Sequence, residues 1–139
     1  MIETAATGNR PYSRSFPREP ESAHEARRLV SSALRVWGLQ EMEHAAWLVV
    51  TELVANAAKH ARMSTIRVTV TRIDCLLVRV AVVDRSRDLP QPRTAGPDDV
   101  TGRGLALVAE LCGGRWGAKP LRWGKSVWAE LTAAGGETR

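Results

Sequence analysis

The chain has 139 residues and a formal net charge of +5, with 44% hydrophobic and 25% charged residues. That length fits one domain with one core, and the composition is that of an ordinary soluble protein. No run of about 18 apolar residues exists, which excludes a transmembrane helix, and the opening MIETAATGNRPYSRSF lacks the apolar core of a signal peptide, so a cytoplasmic protein is expected.

Residues 1–13, with Gly8 and Pro11, read as a loose tail, although the alternation of Tyr12, Arg14 and Phe16 suits a short edge strand. Pro20 then suits a helix start, Glu21 and Glu25 lie in its first turns, and Gly38 ends it. Ala23, Ala26, Val30, Ala33, Leu34 and Trp37 form its apolar stripe. A second helix spans residues 41–61, with Met42, Ala45, Ala46, Val49 and Leu53 in phase, and Met63-Ser64 breaks the pattern. TIRVTVTR alternates as a half-buried strand, residues 73–76 turn, and LLVRVAVVD forms a longer strand with Val78, Val80 and Val82 on one face. Residues 85–104 hold three prolines and three glycines without apolar period, a long loop of the kind that is functional or disordered. The helix LALVAELC follows and stops at Gly113-Gly114, RWGAKP and GKSVWAEL read as a closing hairpin, and residues 133–139 form a flexible tail. The expected domain is therefore residues 14–132. Its class is α+β: a two-layer sandwich, with helices on one face of a mixed, mostly antiparallel sheet.

Cys75 and Cys112 lack metal-like spacing and are expected as reduced thiols. The basic residues are scattered, with no run longer than Arg27-Arg28, which together with a single Tyr and a single Phe argues against a nucleic-acid binder. A polyanionic partner needs only a local patch.

Four short stretches carry candidate chemistry. At roughly 100° per residue, Glu52, Asn56 and Lys59 of the second helix fall within about 60° of one another, with His60 at the edge of that sector. They interrupt an apolar stripe. Either Glu52 pairs internally with Lys59 or the helix end is partly exposed, or else the group lines a cleft where Glu52 activates a hydroxyl and Asn56 offers an oxygen to a hard cation such as Mg²⁺. Asp84 is in phase with Val78, Val80 and Val82, so it projects from the buried face, either as a turn residue or as an acceptor for a ligand's amino group. Gly102 and Gly104 bracket Arg103 before a helix, where close backbone approach and the helix N-terminus favour an anion. The motif matches neither the Rossmann nor the Walker pattern. Gly124 and Ser126 precede the last strand.

In that order and spacing the four stretches resemble the N, G1, G2 and G3 boxes of the GHKL ATPases. RSFPREPESAHEARRLV and GLQEMEHAAWLVVTELVANAAKH look most like the single-domain anti-sigma factor serine/threonine kinases of actinobacteria. The resemblance covers residues 13–132. It implies a Bergerat, histidine-kinase-like ATPase fold that binds ATP and Mg²⁺. Glu52 would be the general base, and Asn56 would hold Mg²⁺. Lys59 and His60 would lie near the phosphates, and Asp84 would accept from the adenine amino group. Gly102, Arg103 and Gly104 would line the phosphate lid, and Ser126 would stand near Asp84 and the adenine. The implied activity is transfer of the ATP γ-phosphate to a STAS-type anti-sigma antagonist, coupled to sequestration of a sigma factor, in a possible homodimer. The alternative is a catalytically weak nucleotide- or partner-binding module. A histidine kinase is disfavoured, because no helix with a phospho-acceptor histidine precedes the domain.

Three departures stand out. Ser86 occupies the place of the usual G1 glycine. The lid segment DLPQP is proline-stiffened. Val127, Ala129 and Leu131 alternate as a core face that points Ser126 the other way, unless a bulge intervenes.

Overall fold

Alternation lays down strands where Val, Ile and Thr dominate, and a 3.6-residue period lays down helices where Ala and Leu dominate. The computed structural model describes residues 10–60, 65–84, 100–122 and 124–133, without the side chains of residues 60 and 100–104. Within them the order is β1 (Tyr12–Pro17), α1 (Ser22–Trp37), α2 (Glu43–His60), β2 (Thr65–Asp74), β3 (Leu77–Asp84), α3 (Val100–Leu111), β4 (Trp116–Pro120) and β5 (Lys125–Thr132). A 3₁₀ turn, Gln40–Met42, joins α1 to α2. This is the expected order of elements.

The strands form one sheet in the order β1-β2-β3-β5-β4, and every neighbouring pair is antiparallel. A strand–helix–strand crossover ordinarily makes a parallel pair. Here β5 returns between β3 and β4, so those two strands never meet and the sheet stays antiparallel. The inner face carries Ile66, Val68 and Val70 of β2, Val78, Val80 and Val82 of β3, and Val127, Ala129 and Leu131 of β5, all buried. Helix α2 covers it with Ala46, Val49, Val50, Leu53, Val54 and Ala57, and α1 adds Ala26, Val30, Ala33 and Leu34. Each fully buried Val or Leu contributes about 1.5–3 kcal/mol. Tyr12 of β1 meets Trp37 of α1 edge-on, with ring centroids 5.5 Å apart.

Gly38 ends α1 in the left-handed conformation at φ 72°, and its N–H donates to the Arg35 carbonyl. Cys75 is exposed in the β2–β3 turn and Cys112 is buried after α3; both are free thiols. No helix of the described residues is long and apolar enough to cross a membrane.

Three boundaries differ from those read in the sequence. Tyr12 and Ser13 pair with Val70 and Thr69, so the ordered chain begins before residue 14. Ala133 is buried and donates its N–H to the Leu76 carbonyl, so the domain extends past residue 132. Residues 1–9 and 134–139 of the two expected tails lie outside the described residues. Helix α3 starts at Val100, not after Gly104. Glycine costs about 1 kcal/mol inside a helix but does not forbid it, so the glycines that read as loop lie in the first turns of α3. Ser86, the DLPQP segment, Met63-Ser64 and Trp123 lie outside the described residues.

Candidate functional site

The C-terminal turns of α2 and the Asp84 end of β3 share one end of the molecule for a reason of chain length. Helix α2 ends at His60 and β2 begins at Thr65, and four intervening residues span only about 16–18 Å. Ile66, at the start of β2, is the cross-strand partner of Asp84. Arg18, just beyond β1, anchors the same end by donating from Nη1 to the Ala58 carbonyl at 2.6 Å, a cation on the last carbonyls of a helix.

Along α2 the polar residues lie on the flank of the buried stripe. Glu52 is half-buried, Asn56 is buried and Lys59 is exposed. Among the described residues no hydrogen bond or ion pair joins Glu52 to Lys59, so the helix does not neutralise its own carboxylate. The Asn56 side-chain oxygen is buried with no hydrogen-bond partner among the described residues. A buried amide oxygen left unmatched costs about 1–3 kcal/mol. It fits a group that needs an oxygen ligand, and a hard divalent cation is such a group. No cluster of three His, Cys, Asp or Glu among the described residues could hold a metal on its own.

At the sheet, three successive inner-face pairs of the β3–β5 ladder are apolar: Val78 with Leu131, Val80 with Ala129, and Val82 with Val127. The fourth is Asp84 with Lys125. Both are buried, at 1% and 0% exposure, and Lys125 Nζ stands 3.6 Å from Asp84 Oδ2. The register of this ladder runs without a bulge from Leu77–Thr132 to Asp84–Lys125. Ser126 is therefore opposite Val83, on the outer face, and not beside Asp84 as the family pattern places it. The strand period of two allows no other result. The residue that does stand at Asp84 is Lys125, which sequence reasoning passed over. Its signal was present: Val127, Ala129 and Leu131, read back two residues, give Lys125 the buried phase.

The first turns of α3 carry Gly102, Arg103 and Gly104, and α3 packs against α2. Their side chains, and that of His60, lie outside the description.

The model of the histidine kinase-like ATPase domain matches residues 16–113, more than half of the chain. The chain belongs to that family. No curated protein matches it. Among solved structures, full-length ShkA in complex with AMPPNP is similar, with a TM-score of 0.55 at 20% identity, covering 86% of this chain and 32% of its own. The histidine kinase domain of the blue-light activated histidine kinase from Erythrobacter litoralis EL346 is similar over 89% of this chain and 67% of its own, at 19% identity and a TM-score of 0.49. The chain thus spans about a third of ShkA, and the likeness to ShkA is one of fold. The histidine-kinase-like ATPase fold expected from the sequence is the fold observed.

Proposed function

We propose that this domain binds ATP with Mg²⁺, transfers the γ-phosphate to a serine or threonine hydroxyl of a STAS-type anti-sigma antagonist, and itself sequesters a sigma factor. Membership of the histidine kinase-like ATPase family supports the nucleotide part, as does the AMPPNP named with the ShkA structure. The observation that carries the reading is the unmatched, buried oxygen of Asn56 one helical turn from the half-buried carboxylate of Glu52.

In this reading Asp84 accepts a hydrogen bond from the adenine amino group, and Lys59, His60 and the Gly102-Arg103-Gly104 turn attract the phosphates at a helix N-terminus. Asn56 would hold Mg²⁺, which when bound neutralises charge on the phosphate oxygens. Glu52 accepts the proton of the attacking hydroxyl as its oxygen bonds to the γ-phosphorus. The bond from phosphorus to the β–γ bridging oxygen breaks, and ADP leaves with the bonding pair.

The test is titration calorimetry with ATP and Mg²⁺, followed by phosphorylation of candidate antagonists. Glu52→Gln is expected to keep ATP affinity within a few-fold and to lower transfer at least 100-fold, the usual weight of a general base. A second reading, nucleotide binding without transfer, is favoured by Ser86 in place of the G1 glycine. Wild type that binds ATP but phosphorylates none of several antagonists would establish that second reading. No binding at millimolar ATP would remove both.

A further inference from the structure

The inner-face pairs of β3 and β5 are apolar until the last, where a carboxylate and an ammonium face each other in full burial. A buried ion pair gains little over a well-packed apolar pair of the same volume, and is often the less stable choice. Its presence at one strand end, after Val78–Leu131, Val80–Ala129 and Val82–Val127, asks for another reason. The separation of 3.6 Å is an ion-pair distance longer than a hydrogen bond. A carboxylate offers about four acceptor positions and an ammonium three donors, so by valence each group can hold more than one partner at a time.

We infer that Lys125 is a specificity-determining residue of the nucleotide site, reading the base jointly with Asp84 by donating to the ring nitrogen N1 of adenine. The inference rests on the reading of Asp84 as acceptor for the adenine amino group. On the adenine edge a donor, the 6-amino group, stands next to an acceptor, N1. On the protein an acceptor, Asp84, stands next to a donor, Lys125. The two edges match group for group. A carboxylate alone reads only the amino group. The pair reads donor and acceptor together, and it rejects a base that offers two donors or two acceptors at those places. The proton-free acceptor is held by a charged donor in a site without exposure, where such a hydrogen bond is at its strongest.

The experiment uses three nucleotides with Mg²⁺ on the full chain, read by calorimetry: ATP, its 1-deaza analogue with C–H in place of N1, and purine riboside triphosphate, which lacks the 6-amino group. Wild type is expected to bind 1-deaza-ATP roughly 10- to 100-fold more weakly than ATP, the range for a hydrogen bond to a charged group. Lys125→Met is expected to bind both alike, while still preferring ATP to purine riboside triphosphate through Asp84. A structural role for Lys125 would shift all three affinities together and leave their ratios unchanged. Equal binding of ATP and 1-deaza-ATP by wild type overturns the inference with no variant needed, so a Lys125→Met chain that fails to fold leaves the test intact. If wild type instead shows no preference for ATP over purine riboside triphosphate, Asp84 does not read the amino group, and the underlying site assignment fails first.

Discussion

Strands β3 and β5 hold two pairs of opposite charge in direct cross-strand register, Arg79 with Glu130 and Asp84 with Lys125. The first lies on the outer face, with side chains 42% and 14% exposed, joined by a 3.0 Å hydrogen bond from Arg79 Nε. Arg79 also lies 4.9 Å from the Trp128 ring centroid. The second is on the inner face, with side chains 1% and 0% exposed. The same ladder, register and charge types thus meet in two solvents. At the partly exposed outer face the attraction is weaker and so is the desolvation. Under the helices both are large and nearly cancel. The outer pair adds a little stability at low cost. The inner pair is retained where an apolar pair would have served the fold, and the proposed reading of the base gives it a reason.

The comparison breaks first at the inner pair. Lys125→Met is expected to destabilise the domain by about 3–5 kcal/mol, because it removes the cation that faces a buried carboxylate. The double variant Asp84→Leu with Lys125→Met is expected to recover most of that loss, or to exceed wild type, since the ladder becomes apolar throughout. Urea unfolding of wild type, the two single variants and the double variant measures the coupling. A double variant as unstable as the sum of the singles would show that the two charges are not coupled, and that neither compensates the burial of the other. The double variant is also expected to lose ATP binding, which separates fold from site.

A smaller effect sharpens the outer face. Gly117 of β4 stands opposite Trp128 of β5. A Cβ at Gly117 would come within 2.8 Å of Trp128 Cζ2 and 3.1 Å of Cε2. The indole thus lies flat over the glycine, as aromatic side chains do over strand glycines, with Arg79 also against the ring. Gly117→Ala forces the ring to shift, and is expected to cost about 1–3 kcal/mol in urea unfolding. Because the inner face is untouched, ATP affinity should stay within about two-fold. A change of 10-fold or more would mean the two faces are coupled.

The order of elements was legible because period two and period 3.6 are strong wherever one face is buried, as in Val78, Val80 and Val82 or Ala26, Val30 and Ala33. The phase of Asp84 was legible for the same reason. What failed were the places where residue type and position disagree. Gly102 and Gly104 read as loop, yet helix α3 includes them, since the cost of two glycines in a helix is small beside the packing of α3 on α2. Lys125 is a residue type almost never fully buried, so the strand phase that turns Ser126 away from the core does not by itself single out Lys125 as the residue beside Asp84. The pairing of all strands antiparallel was not legible either. It depends on β5 returning inside β4, a matter of topology that no local pattern records.

The smallest expected effect belongs to the outer ion pair, and it is the one that tests the comparison from the other side. Arg79→Ala removes both the contact to Glu130 and the cation over Trp128, worth about 0.5–1 kcal/mol at an exposed site. Glu130→Ala removes the ion pair alone. A double-mutant cycle on Arg79 and Glu130 is expected to return a coupling of about 0.2–1 kcal/mol. Because Arg79 is 42% exposed at the side chain, that coupling should shrink as salt is raised, since ions screen charges at the surface far better than beneath the helices. The inner pair should respond little to the same salt. If both couplings fell alike with ionic strength, Asp84 and Lys125 would have to be reached by solvent in the working protein. Their charges would then cost far less than full burial implies, and no appeal to nucleotide recognition would be needed to explain why they are there.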